Sequence, residues 1–241
     1  MMKKFAVYLL SVTLVIAMAN LCIPETAQAA QEIETPAAVS NDHILTGIRK
    51  LKEERVKAVI LGDSIALSQG ASNPLLNGWS KDLKKDLYSN YSNNIVWDNK
   101  ALSGSLIDYC LMRATEITSS TDVVFICVGR NDRNFYEMYE FKEKYQQLIN
   151  IIKGNAPDAD IFCIVEPPMV SSDEHAFMGI RTAIINAATN TGSNLLDVWS
   201  VFPRDAVALD PLLTDRLHPN NDGYRLMADY MYNILAKEIN A

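Results

Sequence analysis

The chain has 241 residues, with 22 Lys and Arg against 29 Asp and Glu, and a formal charge of −7. That length suits one domain with an appended segment, and the composition excludes collagen-like, coiled-coil and disordered classes. An acidic chain also lacks the positive footprint for nucleic acid or an anionic membrane surface, so neither is an expected partner.

The first element reads as a secretory signal. Lys3 and Lys4 precede the apolar run from Phe5 to Ala19, and Ala27-Gln28-Ala29 supplies small residues for cleavage, which assigns 1–29 to the signal peptide. An uncleaved anchor is the alternative, since Phe5 to Ile23 almost reaches the length that spans a bilayer. Leu21, just before Cys22, is too bulky for a lipoprotein site. Removal after Ala29 leaves 20 basic and 28 acidic residues, a charge of −8. The expected product is secreted or cell-surface, with no stable membrane association. Residues 30–55 then form a leader and a charged helix, capped by Asn41 or Asp42 and running to about Arg55.

From residue 56 to 241 the pattern alternates. Strand-like apolar runs fall at Val56–Leu61, Ile95–Trp97, Val123–Val128, Ile161–Val165 and Leu195–Val198. Helical periodicity marks Trp79–Tyr88, Leu106–Thr118, Tyr139–Lys153, His175–Asn190 and Asp222–Glu238. Continuous apolar strands separated by amphipathic helices predict a parallel sheet covered on both faces, one α/β domain of three layers. Cys110, Cys127 and Cys163 form an odd set with no zinc spacing, and Cys127 and Cys163 lie in apolar runs as small hydrophobes. No metal is expected.

In such a sheet ligands gather beyond the carboxyl ends of the strands. Gly62-Asp63-Ser64 follows the first strand and Gly129-Arg130-Asn131-Asp132 follows the third, so both fall on one edge. Ser64 is the candidate nucleophile, with Gly62 permitting a sharp turn; its rival reading is a helix cap. His218 is the candidate base, because imidazole titrates near neutrality as a class and can accept and return a proton. Asp215 would accept from the other ring nitrogen and fix the tautomer. Pro219 disfavours helix at His218, which places the pair on a loop before the last helix. His43 and His175 read as surface residues. The Asn131 amide and the N–H groups of Ser64 and Gly104 are neutral donors suited to an oxygen that becomes negative. Arg130 and Arg133 flank that donor. They could bind an anionic part of a substrate, but an ordinary surface ion pair with Asp132 or Glu137 is the favoured reading.

Together these segments resemble the SGNH, or GDSL-type, hydrolase family, from Val59-Ile60-Leu61-Gly62-Asp63-Ser64 to His218-Pro219-Asn220-Asn221-Asp222-Gly223-Tyr224. Ile65 replaces the leucine of the family signature, and Arg130 stands where a small residue is common. The resemblance implies that Ser64 attacks and that Ser64 N–H, Gly104 N–H and Asn131 form the oxyanion hole. It also implies that Asp215 supports His218, and that the sheet is flavodoxin-like with five parallel strands.

The expected activity is hydrolysis of a carboxylic ester through an acyl-Ser64 intermediate, without metal or cofactor. The secretion signal suggests an acylated small molecule or carbohydrate, with acetyl as the favoured acyl group. Rival readings are a lipid-directed esterase, lysophospholipase or thioesterase, a sugar O-acyltransferase, and a non-catalytic glycan-binding module. Trp79, Tyr109 and Phe135 are candidates to line an acyl pocket, although packing is the favoured role for them.

Overall fold

The computed structural model of the chain describes residues 45–241. The signal segment, the leader through residue 44 and His43 lie outside them. Five strands, β1 (Val56–Gly62), β2 (Ile95–Asn99), β3 (Val123–Cys127), β4 (Asp160–Val165) and β5 (Asn194–Asp197), form one sheet in the order β2-β1-β3-β4-β5. Every pairing is parallel. This is the flavodoxin-like arrangement that the family resemblance implies.

Alternate residues of each strand feed opposite cores, which is why the inner strands read as unbroken apolar runs. Ala58, Ile60, Val123, Phe125 and Cys127 pack toward α2 (Trp79–Tyr91) and α7 (Asn221–Asn240). Val59, Leu61, Val124, Ile126 and Val128 pack toward α3 (Ile107–Ala114), α4 (Met138–Asn155) and α5 (Glu174–Thr191). Phe125 stacks on Phe162 with ring centroids 5.2 Å apart, and Trp79 meets Phe125 edge-on at 6.1 Å. Trp79 is therefore a core residue, with its indole N–H donating to Ile65 O, and it lines no acyl pocket. Burying a side chain of phenylalanine size contributes about 1.5–3 kcal/mol, so these rings dominate the first core. Two one-turn helices, α1 (Pro74–Asn77) and α6 (Ala206–Leu209), lie in the connections.

The helix expected to run to Arg55 is different. Its described part is a five-residue 3-10 helix, Ile48–Lys52. Asp160 at the start of β4 takes the Ile48 N–H at 2.7 Å, so the turn is anchored across the fold. Helix α3 stops at Ala114, short of Thr118. There Thr115 returns its hydroxyl to Met112 O at 2.8 Å, competing with the backbone ladder. Helix α4 starts with a capping box between Glu137 and Glu140.

Strands β1 and β3 are neighbours, but the chain leaves β1 toward β2 on one side and β3 toward β4 on the other. A crevice opens where such connections diverge. The segments after β1 and β3 carry Ser64 and Asn131.

Candidate active site

Gly62 ends β1 where the chain has no room for a side chain. A Cβ there would stand 2.1 Å from Cys127 O and 2.5 Å from the Ala66 Cβ. Residues 63–70 then form successive turns, not a helix, and the Ser64 hydroxyl caps nothing. The helix-cap reading of Ser64 therefore fails. Instead its Oγ lies 2.9 Å from His218 Nε2.

His218 is delivered from the far end of the chain. A bridge between Leu213 and Pro219 closes its loop, Thr214 N–H donates to His218 O, and Arg216 takes a left-handed φ of 67° at the tip. The loop is tied to the turn that carries Ser64 by Thr214 Oγ1, which donates to Gly70 O at 2.6 Å, and by Tyr224 of α7, whose hydroxyl donates to Gln69 O at 2.6 Å. Asn220 caps α7 by accepting from Asp222 and Gly223 N–H.

Asp215 accepts from His218 twice, from Nδ1 at 2.7 Å and from the backbone N–H at 2.8 Å. Because a carboxylate only accepts, Nδ1 carries the hydrogen and Nε2 turns its lone pair to Ser64. Partial burial pushes the Asp215 carboxyl up, but the His218 hydrogen bonds outweigh it and hold the group below its usual value. The Asp215 side chain remains 52% exposed, against 9% for His218. Three stretches remote in sequence thus converge on one hydroxyl.

Gly104 sits at φ +76° with open space around its Cβ position. Among the described residues, no group accepts the Gly104 or Ser64 N–H. Asn131 Nδ2 donates to Asp63 Oδ2 at 3.1 Å and to Ser105 O at 3.0 Å. The amide is therefore clamped before any substrate arrives.

The two arginines part company with the sequence reading. Arg130 is 2% exposed, so it is neither a surface pair nor a substrate ligand. Its guanidinium pairs with Glu174 at 2.6 Å, donates to Pro167 O and lies 3.6 Å from the Phe177 ring centroid. Burial favours this internal use, since a desolvated cation needs partners. Arg133 Nη1 donates to Arg130 O, which ties it to the same loop. His175 is exposed, as expected, and Phe135 stands 68% exposed. Cys110, Cys127 and Cys163 are buried free thiols. Among the described residues, no cluster of three or more metal-ligating side chains gathers.

Asp132, adjacent to Asn131, is not the surface ion-pair partner that the sequence suggests for the flanking arginines. It is instead buried and reaches across to accept the Ile107 N–H at the start of α3, at 2.9 Å. Its Oδ2 has no partner. Burial pushes the carboxyl from 3.8 up to about 7. A raised carboxyl keeps its proton in the folded state where the unfolded chain has lost it, so its stabilisation is complete below 3.8 and disappears as pH rises through 7. Asp132→Asn keeps the acceptor for Ile107 and removes this slope. Its melting temperature relative to wild type is expected to rise from pH 4.5 to pH 8, by up to about 10 °C at the 2–4 °C per kcal/mol of about 200-residue chains. Thermal melts at the two pH values check this, and an unchanged difference would contradict it.

The comparisons with known proteins bear on the family and the fold. The model of the GDSL-like Lipase/Acylhydrolase family matches residues 60–226. No curated protein matches the chain. An acetylxylan esterase from Geobacillus stearothermophilus superposes with a TM-score of 0.63 at 20% identity, over 77% of this chain and 94% of that one. A psychrotrophic esterase from Pseudoalteromonas sp. gives 0.58 at 23%, over 77% and 99%. A lipase from a goat rumen metagenome gives 0.61 at 17%, over 74% and 96%. At such identities the structures testify to the fold, while the family match spans the segments that carry Ser64, Gly104, Asn131 and His218. The chain belongs to the GDSL-like lipase/acylhydrolase family and is a carboxylic ester hydrolase.

Proposed function

We propose that the chain is a secreted serine esterase of short-chain, acetyl-type esters on an extracytoplasmic small molecule or carbohydrate. The observation that carries the chemistry is the continuous line from Ser64 Oγ to His218 Nε2 and from His218 Nδ1 to Asp215. His218 takes the Ser64 proton as Oγ bonds to the carbonyl carbon, and the carbonyl electron pair moves onto its oxygen. That oxygen is met by the N–H groups of Ser64 and Gly104 and by the Asn131 amide, where the oxyanion displaces the neutral Ser105 carbonyl. Collapse expels the alcohol, which receives the proton from His218. Water, deprotonated in turn by His218, then releases the acid and restores Ser64.

Export rests on the layout of residues 1–29, and the carbohydrate or small-molecule substrate rests on export. The short acyl group is supported by Trp79, which is used up in the core and closes that route to a deep pocket. A second reading has its own observation. Leu75, Leu76, Leu102, Phe135 and Val207 are exposed apolar side chains on connections that follow the strands, and such a rim would suit a longer acyl chain or lipid. A series of nitrophenyl esters from acetyl to dodecanoyl separates the two. The expected result is a kcat/KM that falls by about tenfold or more beyond butyryl, the size of one or two misfit methylenes. A maximum at octanoyl or beyond would replace the first reading with the second.

A further inference from the structure

Beneath the nucleophile turn lie two carboxyl groups that the triad does not use. Asp63 leaves β1 and Glu166 leaves β4, with β3 between them in the sheet. Both are fully buried, and their side chains are hydrogen-bonded to each other. Ile65 N–H donates to Asp63 Oδ1 at 2.9 Å, and Asn131 Nδ2 donates to Asp63 Oδ2. Glu166 takes the Arg130 N–H on one oxygen at 2.6 Å, and the Cys127 thiol lies 3.9 Å from the other.

Two touching carboxyls, both fully buried, cannot both ionise, so the pair holds one proton and one charge. The hydrogen-bond count decides which group holds each. Asp63 receives the Ile65 N–H, the Asn131 amide and the proton from Glu166, and charge collects where donors converge. Burial and the neighbouring Asp63 charge push the Glu166 carboxyl well above its usual value, whereas Asp63 rises only to about 6. The other titratable groups facing the pair are Asp132 beside Asn131, Cys127 of β3, Cys110 of α3, Tyr224 of α7, and Arg130, which Glu174 neutralises.

We propose that Glu166 is a positioning residue: as a neutral acid it donates its carboxyl proton to the Asp63 carboxylate, and Asp63 so held fixes the Asn131 amide beside Ser64. This rests on the reading of Asn131 as an oxyanion donor. It ties the ends of β1, β3 and β4 into one hydrogen-bonded frame under the site. It also gives the buried charge of Asp63 three donors, without which it would pull the amide away from the substrate.

The test separates charge from shape. Glu166→Gln offers Asp63 an N–H and Arg130 a carbonyl, and it cannot ionise. It is expected to keep kcat within about threefold of wild type, with KM unchanged, because both hydrogen bonds survive. Glu166→Leu and Asp63→Asn are expected to lose about 10²-fold in kcat with little change in KM, the cost of one misplaced oxyanion donor. Any alkaline fall in wild-type kcat caused by ionisation of Glu166 should be absent from Glu166→Gln. Carbon-13 NMR of glutamate-labelled wild-type protein should show one carboxyl carbon still protonated at pH 7, missing in Glu166→Gln. Its absence from wild type would overturn the proposal, and so would an Asp63→Asn variant as active as wild type. The NMR result needs no turnover: an enzyme inactive on every ester would refute the esterase reading and leave the shared proton visible.

Discussion

Ser64→Ala is expected to lower kcat on nitrophenyl acetate by about 10⁴-fold or more while leaving the fold and melting temperature nearly unchanged. The magnitude follows from removing the only atom that bonds to the acyl carbon: nucleophile removal in serine hydrolases costs factors of this order, and what remains comes from donors and binding alone. The fold should be indifferent because, among the described residues, Ser64 Oγ hydrogen-bonds to His218 Nε2 alone, and the surrounding turn is held by backbone bonds such as Gln69 N–H to Ser64 O. Steady-state rates beside a circular dichroism melt make the measurement. Turnover by the variant at the wild-type rate would show that the hydroxyl is a bystander.

The second large effect separates the base from its partner. His218→Ala should cost as much as Ser64→Ala, since a hydroxyl with no acceptor at 2.9 Å stays protonated through the attack. Asp215→Asn should cost less than the 10⁴-fold known for a buried triad carboxylate, about 10²-fold, because Asp215 is half exposed and water can take part of its place. The Asn variant also retains an acceptor for the His218 backbone N–H, which keeps the loop in place. A kcat/KM profile for the three proteins checks all of this. Equal losses in Asp215→Asn and His218→Ala would mean that the carboxylate does more than hold the ring.

Strand existence and the loop position of His218 were legible because each rests on a local signal, whereas the strand order and the meeting of Ser64 with His218 were implied only by the family resemblance. The inner strands are apolar on both faces, and Pro219 and Asp215 mark the His218 loop. Element ends were less legible, since they depend on partners remote in sequence. Asp160 holding Ile48 and Thr115 turning back on Met112 are both invisible to periodicity. Arg130 was misread for a related reason: a charged residue in a loop motif looks solvent-facing until Glu174, Pro167 O and Phe177 are seen around it. Asp63 and Glu166 went unassigned, and Asp132 was read as a surface partner, because sequence gives no burial. The one available signal was position, since Glu166 ends an apolar strand and precedes two prolines, where a carboxylate has little reason to face water. Tyr109 lies on α3 and is partly buried.

Reaction with a phosphonate ester probe, followed by peptide mass mapping, reads the central claim without any assumption about the natural substrate. One covalent adduct is expected, on Ser64, formed quickly in wild type and not at all in Ser64→Ala. An adduct on any other residue, or a wild-type protein that never reacts, would show that the alcohol, the ring and the carboxylate stand together without acting together.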